Sequence, residues 1–272
     1  MSRPSLPFVV EPDELQAALG RNDILVVDLS PAQSYHQSHI PGAAHLDYAE
    51  LIDPKPPIAG ILPEPKRLSA LFSSLGLTPD THVVAYDDEG GSKACRLLWT
   101  LDVVGHVHYS LLNGGFPVWR SEGRPVSDQA TEMPYRPYTV HINDKVITDK
   151  NYILTHLHDP AIVLVDCRSP AEYSGEDNRA RRGGHIPGAV NIEWRSAVDE
   201  ERNQRLKSRD DLRALYESMG VTPDKEVITY CHTHRRSAFT YFVLKSLGYT
   251  RIRGYPGSWS EWGNDLNTPL ER

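Results

Sequence analysis

The chain repeats itself, and the repeat decides what it can fold into. His39-Ile40-Pro41-Gly42-Ala43 returns as His185-Ile186-Pro187-Gly188-Ala189. Leu75-Gly76-Leu77-Thr78-Pro79-Asp80 returns as Met219-Gly220-Val221-Thr222-Pro223-Asp224, and each copy runs into an apolar stretch, His82–Tyr86 and Glu226–Tyr230. Leu101–Gly105 matches Leu244–Gly248, and Gly114 and Trp119 match Gly257 and Trp262. The matches keep one order and a nearly constant separation. That separation far exceeds the roughly 20–50 residues of a solenoid unit, so each copy is a whole domain. A length of 272 residues also suits two domains. The Pro-rich, polar run from Pro125 to Lys145 has no helical period and reads as a linker. The expected division is a first domain over 1–124, a linker over 125–145 and a second domain over 146–272.

Within each copy, strand-like and helix-like segments alternate. In the second, Ile162–Asp166 reads as a buried strand and Ser169-Pro170-Ala171-Glu172 as a capped helix start. Val190–Ile192 reads as a short strand. Ser208–Met219 reads as a helix with Leu212, Leu215, Tyr216 and Met219 on one face, stopped by Gly220. Glu226–Tyr230 is a strand, Ser237–Leu247 a helix, and Ile252 opens the last strand. This alternation predicts an α/β fold, each domain a mostly parallel sheet flanked by helices.

Composition excludes several classes of function. With 36 acidic and 29 basic residues the net charge is −7, which argues against nucleic-acid or basic membrane-surface partners. No apolar run approaches the ~20 residues of a membrane span. The opening MSRPSLPFVVEP lacks the apolar core of a secretory signal. Three cysteines, Cys95, Cys167 and Cys231, are too few and odd in number for a disulfide framework, so a reduced, cytoplasmic protein is expected.

Ligands of such sheets bind where strands turn into helices. One such turn in the second copy reads Cys231-His232-Thr233-His234-Arg235-Arg236-Ser237. Backbone N–H groups and the positive end of the following helix converge there. The arginines add positive charge, and His232 and His234 either add more or are merely solvated. Such a field favours thiolate over thiol and attracts anions. Cys95, inside a helical run, and Cys167, at a strand edge, read as small core residues. In the first copy Asp87 stands at the Cys231 position, followed by Asp88 and Glu89, so one lobe works and the other is retired. Zinc at Cys231, His232 and His234 lacks a second ligand pair of suitable spacing.

These residues resemble the rhodaneses, in particular the two-domain bacterial thiosulfate:cyanide sulfurtransferases. The resemblance covers nearly the whole chain. It rests on the paired His-Ile-Pro-Gly-Ala motifs, Asp166-Cys167-Arg168, the Cys231–Ser237 loop and Gly257-Ser258-Trp259-Ser260-Glu261-Trp262. It implies two tandem rhodanese-like domains, the first without a catalytic cysteine. It also implies that Cys231 takes a sulfane sulfur from thiosulfate, holds it as a persulfide and passes it to cyanide or a thiol. No metal or organic cofactor is implied. Arg235 is the expected attractor of the anionic donor, and Arg236 and Ser237 orient the loop or cap its helix. His232, Thr233 and His234 complete the expected substrate loop. Trp194 is either an aromatic wall of the pocket or ordinary core. Arg179, Arg181 and Arg182 either line the anion entrance or form a solvated loop. The expected state is a monomer.

The loop is neither the Cys-Arg-Lys-Gly-Val-Thr of mammalian thiosulfate enzymes nor the Cys-Gly-Ser-Gly-Val-Thr of mercaptopyruvate enzymes. It is closest to a bacterial Cys-Gln-Thr-His-x-Arg-Ser type. A mercaptopyruvate-type donor and delivery of sulfur to a partner protein are the alternative readings. A cysteine phosphatase or arsenate reductase fits poorly. The phosphatase signature puts five residues between Cys and Arg, whereas His232 to Arg235 are the only residues between Cys231 and Arg236.

Overall fold

Parallel pairing organises both halves of the chain. The computed structural model describes residues 6–272, which fall into two units of like build. Residues 1–5, the start of the stretch read as lacking a secretory core, lie outside the described residues. The sheet of the first unit runs Val9–Val10, Tyr109–Leu112, His82–Tyr86, Ile24–Asp28, Ala44–His45, every pair parallel. The second runs Ile252–Gly254, Glu226–Tyr230, Ile162–Asp166, Val190–Asn191, again parallel. A single parallel bridge from Ile147 to Gly254 takes the edge place that Val9–Val10 holds in the first sheet. Glu226–Tyr230 is buried along its whole length, as expected of a strand covered on both faces. The helices Ser92–Val103 and Arg236–Ser246 follow the central strands across the turns Asp87–Gly91 and Cys231–Arg235. No helix among the described residues is long and apolar enough to cross a membrane.

The helix expected over Ser208–Met219 runs Arg209–Glu217, with the Ser208 hydroxyl accepting the Asp211 N–H at 3.1 Å. Leu212 and Tyr216 are buried, but Met219 is 42% exposed. The helix ends before Met219 comes round to the core face, and the turn at Gly220 carries it outward.

The units do not follow a simple cut of the chain. Among the described residues the first gathers those up to Leu51, Pro63–Ile142 and Asp199–Leu206; the second gathers Ile52–Leu62, Asn143–Val198 and Lys207–Arg272. Most of the run expected as a linker is a strap on the first unit. Ser127 pairs with His39, the Arg136 N–H donates to Ser73 O, and the Tyr138 and Val140 N–H groups donate to the Ser73 and Ser69 hydroxyls. Those hydrogen bonds are the reason the segment lies down rather than hanging between units. Residues 199–206 join the first unit through Arg205, which pairs with Glu11 and Glu122, and through the Leu206 N–H, which donates to Asn113.

The repeated His-Ile-Pro-Gly-Ala motif is a structural staple. His39 stacks on Tyr35 at 3.9 Å and donates from Nδ1 to Tyr35 O, while Tyr35 donates to Ala43 O. His185 does the same with Tyr173 at 3.6 Å, and Tyr173 donates to Ala189 O. The Ile40 and Ile186 N–H groups donate to the Tyr86 and Tyr230 hydroxyls at the ends of the central strands. The motif thus ties a turn to the strand whose end carries Asp87 in one copy and Cys231 in the other.

Candidate active site

Cys231 stands one residue past the buried strand Glu226–Tyr230, and the helix Arg236–Ser246 begins where the loop ends. The C-terminal segment grips the loop from behind. The Trp259 N–H donates to Cys231 O, the Ser260 N–H to His232 O, and the Cys231 N–H donates to the Ser258 hydroxyl. Ser258 has φ +51°, and the matching residue of the first copy is Gly115, with φ +60°. The second copy therefore keeps a side chain in a conformation that favours glycine, and its hydroxyl holds the cysteine's backbone.

The field at the sulfur is anion-stabilising. Burial works to raise the Cys231 thiol. The Arg236 charge, the Ser237 hydroxyl and the N–H groups of Ser237 and Thr233 overcome it, so the thiol lies below its ordinary range. The other two cysteines go the other way. Burial, then the charge of Asp87, pushes Cys95 well up, and burial pushes Cys167 well up. All three are free thiols.

Arg236 is held by Glu172, whose two oxygens accept from Nη1 and Nη2 at 2.6 and 2.8 Å. Burial opposes the ionised carboxyl, but Arg236, the Ser169 N–H and Arg179 bring it down to about 2. The pair therefore persists above the strongly acidic range. Glu172 was legible in the sequence only as a capping residue, which it also is: it closes a capping box with Ser169. Nothing local marked it as the partner of an arginine so far along the chain.

The remaining expected residues are placed as follows. Thr233 supplies an N–H to the sulfur. Gly60, from the segment Ile52–Leu62, lies so close to the loop that a Cβ there would meet Thr233 O at 2.3 Å. His234 is fully buried, with Nδ1 2.7 Å from the Ser237 hydroxyl. His232 is held below its ordinary value mainly by burial, so it is neutral and the positive charge of the loop rests on arginine. Arg235 is half-buried at the N-cap of the helix. Trp194 is buried edge-on against Phe239 at 5.2 Å, with Arg195 over its ring. Arg182 donates to the carbonyls of Thr268, Trp262 and Asp265, so it braces the C-terminal segment. Arg179 pairs with Asp177, and Arg181 is exposed.

The first copy makes the same cradle and fills it with its own carboxylate. Asp87 accepts N–H bonds from Glu89, Gly91, Lys93 and Ala94 at 2.7–3.0 Å. Glu89 and Lys93 occupy the loop positions of Thr233 and Ser237. The turn is thus an anion nest in both copies. Asp87→Cys is expected to take up no second equivalent of sulfur. The position is fully buried, the loop's Lys93 is paired with Asp88 and Glu89 at 3.4 Å, and burial beside acids raises a thiol. Intact mass after thiosulfate treatment checks this; two sulfurs per chain would refute it.

Comparison with known proteins gives the family. The family model of the rhodanese-like domain matches residues 11–122 and again 149–265. The chain is 44% identical over 267 residues to a thiosulfate sulfurtransferase of Azotobacter vinelandii, covering 98% of each. It is 37% identical to a sulfur carrier protein of Thermus thermophilus, covering 88% of this chain and 87% of that one. The crystal structure of SseA from Escherichia coli, a 3-mercaptopyruvate sulfotransferase, superposes with a TM-score of 0.84 at 28% identity over 93% of this chain and 99% of that one. With a doubled fold, one anion nest filled by a carboxylate and the other by a cysteine, and the domain matched twice, the chain belongs to the rhodanese family.

Proposed function

We propose that the chain is a thiosulfate sulfurtransferase that carries sulfur on Cys231. The observation that carries this reading is the contrast among the three thiols: only Cys231 is lowered, and it sits in a nest built for an anion. The thiolate attacks the outer sulfur of thiosulfate, the S–S bond breaks, and sulfite leaves with the electron pair. Cyanide or a thiol then attacks the outer sulfur of the persulfide, and the thiolate returns. This is covalent catalysis in two displacements, with ping-pong kinetics. The nest stabilises negative sulfur in both steps. The test is mass spectrometry: thiosulfate adds one sulfur to Cys231, and cyanide removes it as thiocyanate. A chain that stays unloaded overturns the reading.

A second reading, delivery of sulfur to a partner protein, is supported by likeness to the Thermus carrier protein. It predicts that a protein acceptor discharges the persulfide faster than cyanide or small thiols do. The loop differs from the mercaptopyruvate pattern, which favours thiosulfate as donor. Three free cysteines suit a reducing compartment, the cytoplasm.

In this reading Arg235 serves the donor. Thiosulfate carries two charges and must approach a thiolate, whereas cyanide is mostly protonated near neutral pH. Arg235→Ala is expected to raise the KM for thiosulfate about ten- to a hundredfold, the loss of one charge-assisted contact. The effect on cyanide is milder. Rapid mixing of each half-reaction checks this. Equal losses in both would mean that Arg235 shapes the loop instead.

A further inference from the structure

The two copies of the fold serve as controls for each other, and they single out His234. The third residue after Asp87 is Gly90, with φ +92°; the third residue after Cys231 is His234, with φ +56°. Glycine enters this region without steric penalty. A residue with a Cβ is strained there and stays only where its surroundings hold it, which points from the outlier towards a role.

The role follows from the proton count. Ser237 and His234 are both fully buried, with His234 Nδ1 2.7 Å from Ser237 Oγ. The same hydroxyl hydrogen-bonds the Cys231 sulfur. A hydroxyl has one proton to donate and lone pairs to accept with. A thiolate can only accept, so the Ser237 proton must point at sulfur, and the Ser237 oxygen must then accept from the ring. The first copy has Gly90 and Lys93 at these places and lacks the arrangement.

We propose that His234 is a positioning residue for the sulfur chemistry: its Nδ1–H donates to the Ser237 oxygen and commits the Ser237 proton to the Cys231 sulfur. Neutral imidazole in its Nδ1–H form suffices, and no net proton transfer is involved. The same O–H supports the inner sulfur when it leaves as thiolate in the second displacement. Arg236 from the helix and Cys167 from the end of the neighbouring strand also act on this sulfur, and the test leaves them unchanged.

The inference rests on Cys231 as the sulfur carrier, and the experiment separates the two. His234→Gly copies the residue of the first domain and relieves the backbone, so a purely structural role predicts an unchanged thiol. The proposal predicts instead that the Cys231 pKa, read from thiolate absorbance against pH, rises by about one to two pH units. Ser237→Ala gives the same rise, and His234→Gly adds nothing in the Ser237→Ala background. His234→Asn, which tolerates the left-handed backbone and offers an N–H, restores much of the effect. If His234→Gly leaves the thiol where it was, or raises it further in the Ser237→Ala background, the proposal is overturned. If His234→Gly does not fold, His234→Asn against His234→Leu, each with and without Ser237→Ala, reads the same coupling. Loading by thiosulfate is followed in parallel. Failure to load the parent protein removes the sulfur-carrier reading, while loading with an unmoved thiol removes only the role of His234.

Discussion

Cys231→Ala is expected to lose more than about a thousandfold in sulfur transfer, because it removes the atom through which both displacements pass. Cys95→Ala and Cys167→Ser are expected to keep most of the activity. Their sulfurs lie in the core and are pushed up by burial. Steady-state turnover of thiosulfate and cyanide, with persulfide measured by intact mass, checks all three variants. Transfer surviving in Cys231→Ala would place the carrier elsewhere.

The largest effect on stability is expected from Arg168→Met. Asp166 and Arg168 are both essentially unexposed, with Arg168 Nε 2.9 Å and 3.0 Å from the two Asp166 oxygens. Arg168 also donates to Gly184 O and lies 4.4 Å over the Trp259 ring, whose backbone N–H holds Cys231 O. Removing one partner leaves a buried charge uncompensated, a loss of about 3–5 kcal/mol. Removing both, as Asp166→Leu with Arg168→Met, is expected to recover part of that loss. Chemical denaturation of the single and double variants decides this, and a double variant no better than the single one would contradict it. The first copy shows the alternative solution. Ser30 stands where Arg168 does, and burial raises the Asp28 carboxyl. The arginine is thus a feature of the copy that carries Cys231.

The sequence alone determined the doubled α/β fold, and it singled out the Cys231 loop as the candidate site and the Asp87 loop as its acidic counterpart. These rest on signals between near neighbours: apolar runs, cap residues, and a cysteine followed at once by basic residues before a helix. The packing alone decided which side chains meet. Glu172 grips Arg236, Arg182 turns to carbonyls of the C-terminal segment, Gly60 lies against Thr233, and residues 125–142 lie down on the first unit. His232 is neutral because it is buried, and burial is set by what closes over a loop. Even within the loop, the Cys231–His234–Ser237 arrangement depends on a left-handed residue that the letters do not reveal. A cap is made within a few residues of chain and a buried strand is marked by its own apolar run, so both patterns are local. The partner of a buried charge or hydroxyl is whichever group the fold brings there, and that choice is made across the whole sheet.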